Sequence, residues 1–182
     1  VTTGEVFPEP LKQRLFKALP NTGLYTYLAQ TEAGVVTGMR PSDHALKPGG
    51  MGQVLPGVEV RLVDQNLKDV ELGTPGEILV RCGEPGRFIT MRAYYNDAQA
   101  TKDAFVDGWL RTGDVAYEDE DGYLFFSDRA KDMIVSGGLN IYSREVELAL
   151  IEHPAVSDAA VFGVPDEAYG EAVTACIQLK EG

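Results

Sequence analysis

The stretch Phe125–Glu147, FFSDRAKDMIVSGGLNIYSREVE, combines an aromatic pair typical of a strand, a charged run, a Ser-Gly-Gly turn and the start of a helix. Four of the five residues in Asp128–Asp132 are charged. A turn inside one compact domain seldom needs so much charge beside so much glycine. The stretch is therefore interpreted either as a surface loop or as a joint between two moving parts.

Upstream of this stretch the sequence predicts mainly strands. Short apolar or alternating runs are bounded by Pro-Gly and acidic turns, which is typical of strands in a distorted sheet or small barrel. The predicted strands are Leu24–Leu28, Val58–Val63, Glu77–Arg81 and Gly122–Phe126. An amphipathic helix is predicted over Pro8–Leu19 from the spacing of Leu11, Leu15 and Leu19, and a short helix around Asp97–Phe105.

Downstream of Lys131 the pattern changes to an incomplete α+β unit. Ser143 is predicted to be the N-cap of a helix over Arg144–Glu152. Two strands, Val156–Phe162 and Ala172–Leu179, follow and are separated by a predicted turn at Pro165-Asp166. We therefore expect two domains, residues 1–130 and residues 131–182, in an α/β to α+β fold with a β-rich, distorted barrel-like first part.

Composition excludes several classes of function. The chain has 182 residues and a formal net charge of −12, which argues against a nucleic-acid or anionic-membrane binder. Cys82 and Cys176 have no metal-ligand spacing, and buried thiols in a reducing cytosol are expected. No long apolar run or basic leader is present, so we expect a soluble, cytoplasmic protein without an integral membrane segment. The sequence does not predict the oligomeric state.

Two short motifs carry groups suited to phosphate and ribose chemistry. Thr31-Glu32 sets a hydroxyl beside a carboxylate, a pair that can hold a phosphate oxygen and Mg²⁺ together. In Trp109–Asp114, WLRTGD, the Thr-Gly turn presents Asp114, and carboxylates are the usual partners of ribose hydroxyls. Taken singly, each is more often an ordinary loop or a solvated turn.

The opening stretch supplies further candidates. Arg129 could bind a ribose or a phosphate, although a surface pair with Asp128 or Asp132 is the commoner role of such an arginine. Gly137-Gly138 offers backbone amides that a ligand could approach closely, although alone it predicts only a turn. Lys131 on its own predicts a solvated lysine.

Three motifs in this order resemble the adenylate-forming superfamily, specifically the acyl-CoA and aryl-CoA synthetases. They are WLRTGD, DRAKDMIVSGGLNIYSREVE and HPAVSDAAVFGVPDEAYGE, the last being His153–Glu171. The resemblance covers nearly the whole chain and implies a ligase. In such a ligase a carboxylate attacks the α-phosphate of ATP to give an acyl-adenylate, and the thiol of coenzyme A then displaces AMP. The implied small molecules are a carboxylic acid, ATP or AMP, Mg²⁺ and coenzyme A.

The resemblance implies roles for residues that match the family's motifs. Thr31 would bind phosphate, Glu32 would bind Mg²⁺, and Lys131 would be the hinge of the mobile C-terminal domain. Gly137 and Gly138 would line the tunnel for coenzyme A. The implied nucleotide-binding residues are Gly4, Glu5, Val6, Thr31, Asp114, Phe126 and Arg129.

The chain also departs from the family pattern. Leu28-Ala29-Gln30 stands where a Tyr-Gly pair is usual, Leu139 replaces a frequent Glu, and Ser143 a frequent Pro. A phosphate loop is missing before Val1 and a catalytic lysine after Gly182, so we expect an inactive fragment of an acid–CoA ligase of fatty acid metabolism. Two alternatives stay open, namely a non-catalytic nucleotide-binding or regulatory relative, and another adenylate-former of the luciferase or peptide-synthetase type.

Overall fold

The computed structural model describes residues 9–83 and 90–180. Their contacts divide the chain into two units, Val1–Phe126 and Ser127–Gly182. Strand β8 begins in the first unit and ends in the second. The division between Phe126 and Ser127 lies in the stretch Phe125–Glu147. The domain boundary predicted from the sequence, between Ala130 and Lys131, lies in the same stretch.

In its described residues, 9–83 and 90–126, the first unit has an antiparallel sheet and three helices. The helices are α1 Glu9–Ala18, α2 Asp43–Leu46 and α3 Ala98–Ala104. The strands are β1 Thr26–Gln30, β2 Gly34–Met39, β3 Gly50–Val54, β4 Val58–Val63, β5 Gly76–Cys82, β6 Phe105–Val106, β7 Trp109–Glu118 and β8 Tyr123–Arg129. Their order is β1-β2-β3-β8-β7-β5-β4, with β6 paired to β7. The β-rich fold is confirmed, and the sheet is open and not a closed barrel.

The main core cluster of this unit lies on one face of the sheet, because alternate residues of a strand point to the same side, although Leu79 is also buried on the other face. Strand β5 contributes most strongly, with Ile78 and Val80 fully buried. Val36, Leu110 and Leu124 from neighbouring strands complete the centre of the cluster. Strands β4 and β5 pair in register over their whole predicted length, from Val58 opposite Cys82 to Val63 opposite Glu77.

The second unit contains one helix and a four-stranded sheet. Its elements are β9 Ile134–Ser136, β10 Leu139–Ile141, α4 Ser143–Ile151, β11 Val156–Asp166 and β12 Gly170–Leu179. The sheet order is β10-β9-β12-β11, and β11 with β12 forms a long antiparallel hairpin. The last three elements, α4, β11 and β12, confirm the helix–strand–strand order that the sequence predicts, whereas β9 and β10 were not predicted.

The predicted turn at Pro165-Asp166 is wrong. Both residues belong to β11, and the chain reverses one step later, where the Asp166 carboxylate accepts hydrogen bonds from Ala168 N and Tyr169 N at 2.9 Å. Proline is tolerated there because β11 is an edge strand of the sheet order. An Asp that bonds the backbone two and three residues ahead marks the turn better than the proline does.

The helix predicted near the N-terminus is confirmed as α1, but its buried face is not the leucine stripe. Lys12 is 2% exposed, whereas Leu11 is 43% and Leu19 is 49% exposed. A period of four residues marks a helix without stating which face meets the core. A lysine can also bury its long aliphatic stem against apolar surface.

Ser143 is not the N-cap of α4. It is the first helical residue, after Tyr142, and its hydroxyl donates to Asp128 Oδ2 at 2.8 Å. The same carboxylate oxygen accepts from Arg144 N at 3.3 Å. The acceptor for the start of the helix is therefore a buried aspartate at the end of β8. Asp128 lies 15 residues before Ser143, so the residues next to the helix in sequence do not reveal it.

Candidate functional site

Thr31 and Glu32 lie at the tip of the β1–β2 hairpin. Gln30 pairs with Gly34, whose φ is +74°, so three residues form the loop. Ala33, the third of them, is 1% exposed and anchors the loop in the core. Thr31 is exposed and Glu32 is half-buried at the tip. The hairpin thus presents a hydroxyl and a carboxylate side by side on a fixed backbone.

The Glu32 side chain has a hydrogen-bond partner from a distant segment. Tyr94 donates its phenolic hydrogen to Glu32 Oε1 at 3.0 Å, and Met91 N donates to the Glu32 carbonyl at 2.7 Å. Desolvation, together with the hydrogen bond and charge of Glu32, raises the pKa of Tyr94. The phenol therefore stays protonated and fixes the carboxylate.

The single carboxylate of Glu32 suits Mg²⁺ better than a metal ion that is coordinated entirely by protein side chains. Within residues 9–83 and 90–180, no group of three or more His, Cys, Asp or Glu side chains could hold a metal ion. Magnesium is usually bound by one or two carboxylates together with substrate phosphates. Glu32 beside Thr31 is the group that could supply the protein part of such a site.

The WLRTGD motif forms a β-bulge between β5 and β7. The register shifts so that Thr112–Asp114 lies opposite Ile78 alone. The Thr112 hydroxyl donates to Ile78 O at 2.8 Å and accepts from Asp114 N at 3.1 Å. Gly113 has a φ of +70°, and no described heavy atom lies within 4 Å of where its Cβ would be. The bulge turns the Asp114 carboxylate inward, leaving it 3% exposed beside an open backbone.

Gln30 connects these two motifs. Its Nε2 donates to Asp114 Oδ2 at 2.5 Å and to Thr112 O at 3.1 Å. Gln30 directly precedes Thr31, so the hairpin tip and the bulge form one site. The sequence indicated Gln30 only as part of a departure from the family pattern. No local signal could have revealed it, because the bond joins residues 84 positions apart.

The other residues predicted to contact the nucleotide are Phe126, Arg129 and the segment Gly4–Val6. Phe126 is half-buried and packs against the core cluster of the first unit. Gly4, Glu5 and Val6 lie outside the described residues. Arg129 is exposed at the end of β8.

The predicted hinge residue lies in a tight turn of the second unit. Asp132 N donates to Arg129 O at 3.0 Å, and Lys131 is exposed between them. This turn joins β8 to β9, and its exposed lysine makes it a segment that solvent can reach.

Gly137 and Gly138 form the two-residue turn between β9 and β10. Ser136 pairs with Leu139, and the φ angles of the two glycines are +58° and +81°. Two consecutive positive φ angles define a type I′ turn, which glycine adopts without strain. The space beside Gly138 is open, since no described heavy atom lies within 4 Å of a Cβ built there. A Cβ built on Gly137 would lie 3.4 Å from Tyr169 Cδ1, so the predicted unobstructed backbone fits the geometry at Gly138 but less well at Gly137.

Comparison with protein families gives two matches in chain order. Residues 1–95 match the model of the AMP-binding enzyme family, and residues 145–182 match the model of the AMP-binding enzyme C-terminal domain. The intervening residues include the WLRTGD bulge and the turn around Lys131. No described helix is both long and apolar enough to cross a membrane.

Two relatives with curated names are acid–CoA ligases. The indoleacetate–CoA ligase of Aromatoleum aromaticum is 38% identical over 185 residues, which cover 100% of this chain and 35% of that protein. The medium/long-chain-fatty-acid–CoA ligase FadD8 of Mycobacterium tuberculosis is 44% identical over 156 residues, 85% of this chain and 26% of that protein. The chain thus spans about a third or less of these relatives. Neither match supports the non-catalytic, regulatory alternative.

A solved structure matches the fold over nearly the whole chain. The o-succinylbenzoate CoA synthetase MenE of Bacillus subtilis, in complex with its acyl-adenylate intermediate, has a TM-score of 0.82 and 32% identity. The match covers 99% of this chain and 36% of MenE. Another structure of the same enzyme, in complex with ATP and magnesium, has a TM-score of 0.81.

Proposed function

We propose that this chain, which belongs to the AMP-binding enzyme family, is part of an ATP-dependent acid–CoA ligase that forms an acyl-adenylate and then a thioester with coenzyme A. The observation that carries the proposal is the Gln30–Asp114 bond. It joins a hydroxyl–carboxylate pair suited to phosphate and Mg²⁺ to a carboxylate suited to ribose hydroxyls. A nucleotide needs these groups side by side.

Each residue of the site then has a chemical task. Thr31 would donate a hydrogen bond to a phosphate oxygen, and Glu32, oriented by Tyr94, would hold Mg²⁺. Magnesium bound there would neutralise charge on the phosphates and make the α-phosphorus more electrophilic. Asp114 accepts from the ribose hydroxyls through the opening beside Gly113. Gly4–Val6, Phe126 and Arg129 are further proposed nucleotide contacts.

The second half-reaction involves the second unit. The thiol of coenzyme A attacks the acyl carbonyl and AMP leaves, and we assign the approach of the thiol to the open turn at Gly137 and Gly138. Lys131 is the proposed hinge between residues 1–130 and 131–182.

The proposal also includes the class of carboxylic acid substrate and the cellular compartment of the enzyme. The named relatives act on acids as different as indoleacetate and fatty acids, so the substrate class is a carboxylic acid, with fatty acid metabolism as the first context to test. Both cysteines are free, which fits a reducing compartment, and we assign the protein to the cytoplasm. The expectation of two buried thiols is wrong for Cys176, which is exposed.

An exchange assay tests the proposal. The full-length enzyme containing this chain should exchange pyrophosphate into ATP with at least one acid of a panel of octanoate, palmitate, benzoate and indoleacetate, and Asp114→Ala should lower this exchange at least tenfold, about 1.4 kcal/mol of transition-state stabilisation. Asp103→Ala, at an exposed position of α3, is the matched control and should leave exchange unchanged. Exchange that survives Asp114→Ala would contradict the assignment of this site.

The 182-residue chain itself should release no pyrophosphate above background with the same panel. Its first unit supplies the proposed ribose, phosphate and metal contacts, but the chain spans only about a third or less of the ligases that it matches, and we propose that other parts of the longer enzyme are also needed for adenylation. Turnover by the isolated chain would disprove this part of the proposal.

A further inference from the structure

Glu171, the second residue of β12, makes a hydrogen bond that the strand pairing does not require. Its Oε2 accepts from Val135 N at 2.7 Å. Val135 is the middle residue of β9, two positions before Gly137. The carboxylate thus reaches sideways from the β11–β12 hairpin and fastens the strand that leads into the glycine turn.

Gly163 provides the space for this carboxylate. A Cβ built on Gly163 would lie 2.8 Å from both Cδ and Oε1 of Glu171. The φ angle of Gly163 lies outside the left-handed region, so the backbone conformation does not demand glycine there. A glycine inside a strand marks the close approach of another group, and here that group is the Glu171 side chain.

Two backbone contacts complete the attachment. Gly137 N donates to Tyr169 O at 2.9 Å, and Gly170 pairs with Ser136. Among these contacts between the hairpin and the β9–β10 turn, Glu171 contributes the side chain, and a hydrogen bond to a charged group is stronger than one between neutral groups.

We propose that Glu171 is a positioning residue for the thioester-forming step. By holding Val135 it keeps Gly137 and Gly138 in the open type I′ turn past which the thiol of coenzyme A travels. Glu171 acts through the backbone of β9 and does not contact coenzyme A. This inference rests on the proposed function, since it assigns to Glu171 a part in the second half-reaction.

Substitution of Glu171 in the full-length enzyme should separate the two half-reactions. Glu171→Ala should raise the KM for coenzyme A about tenfold while adenylation, measured by pyrophosphate exchange, changes less than about twofold. Glu171→Gln keeps a carbonyl oxygen that can accept from Val135 N, so it should restore most of the affinity. Glu167→Gln removes an exposed acid from the same hairpin tip and should leave both half-reactions unchanged.

A second variant disturbs the same bond without removing the carboxylate. Gly163→Ala adds a methyl group where Glu171 now lies, so it should raise the KM for coenzyme A as well. The double variant Gly163→Ala/Glu171→Ala should be no worse than the poorer single variant, because both changes act on one hydrogen bond.

Amide hydrogen exchange measures the bond without reference to activity. Exchange at Val135 N should accelerate in Glu171→Ala and Gly163→Ala and stay slow in Glu171→Gln. Unchanged exchange at Val135 N, an unchanged KM for coenzyme A, or equal loss of both half-reactions in Glu171→Ala would overturn the inference. A wild-type enzyme that exchanges no pyrophosphate with any acid of the panel would instead overturn the proposed function, and the exchange at Val135 N would still test the bond.

Discussion

Gln30 shows how a single amide side chain can organise a site. It bridges the carboxylate of Asp114 and the carbonyl of Thr112, and it directly precedes the exposed hydroxyl of Thr31. An amide can donate both of its hydrogens while adding no charge beside the buried carboxylate. Gln30 therefore sets the distance between the proposed ribose and phosphate contacts.

Removal of this bridge should weaken nucleotide binding. We expect Gln30→Ala to raise the KM for ATP about tenfold, because a hydrogen bond to a charged group contributes roughly 1.5–3 kcal/mol. Gln30→Glu should be worse, since it sets a second carboxylate against Asp114. Steady-state kinetics of pyrophosphate exchange would measure both effects.

Gln99→Ala is the matched control for this prediction. Gln99 donates to Asp103 at 2.8 Å on the exposed surface of α3, so the same amide is deleted away from the site. A KM for ATP that is unchanged in Gln30→Ala would show that the bridge does not position the nucleotide.

At the scale of elements, the β8–α4 connection depends on one buried carboxylate. Asp128 is 4% exposed and Ser143 is 5% exposed, and the bond between them joins the end of a strand to the start of a helix. Ser143→Ala should therefore destabilise the second unit by about 1–3 kcal/mol, the usual effect of removing one partner of a buried hydrogen bond. Thermal or urea unfolding would measure the change.

Ser157→Ala provides the comparison for Ser143. The Ser157 hydroxyl donates to Gln178 O at 3.1 Å but is exposed, so water can replace its bond. Its substitution should change stability by less than about 0.5 kcal/mol. Equal effects of the two substitutions would contradict the importance assigned to Asp128.

The elements themselves were largely predictable, and the contacts between them were not. Val58–Val63 follows a Pro-Gly turn and alternates cleanly, so its bounds were predicted as observed. The buried face of α1 and the role of Asp128 depend on residues distant in sequence. Gln30 belongs to the same class, because its partner in the site is brought close only by the folded sheet. Periodicity and turn residues report local preference, and they carry no information on such pairings.

At the scale of the whole molecule, the net charge is −12, and one cluster of acidic residues is partly neutralised by a lysine. Lys47 donates to Asp119 at 2.6 Å and also to Asp121, which ties the acidic β7–β8 turn to the end of α2. Burial raises the pKa of Asp119, but hydrogen bonds from Lys47 and from two backbone amides outweigh it, and the net pKa is lowered from 3.8. The hydrogen bonds that Lys47 donates to Asp119 and Asp121 raise the pKa of Lys47.

This ionic network should make the stability of the fold depend on pH in the acidic range. Because the pKa of Asp119 is lower in the folded protein, its contribution is present above pH 3.8 and is lost as the pH falls through the folded value. Lys47→Met should lower the melting temperature slightly at pH 7, and its difference from the wild type should shrink below pH 3.8. Lys68→Met, at an exposed site, is the control. A difference that does not vary with pH would refute the ionic explanation.

The division into two units makes the proposed hinge testable as well. Proline at position 131 fixes φ near −65° and restricts Ala130 before it. Lys131→Pro in the full-length enzyme should therefore slow thioester formation at least tenfold more than adenylation, about 1.4 kcal/mol of difference in barrier. Lys131→Ala keeps the backbone free and should affect both half-reactions little. Equal losses in Lys131→Pro, with the fold intact by circular dichroism, would argue against a hinge.

The 84 positions between Gln30 and Asp114 also set when the site can first exist. A ribosome adding about 5–20 residues per second needs roughly 4–17 s to make the chain between them. During that interval the bulge that Gln30 contacts has not yet been made, so the proposed nucleotide site is incomplete in the nascent first unit. Stabilisation of the fold by a nucleotide at this proposed site is therefore expected only after most of the sheet has been translated.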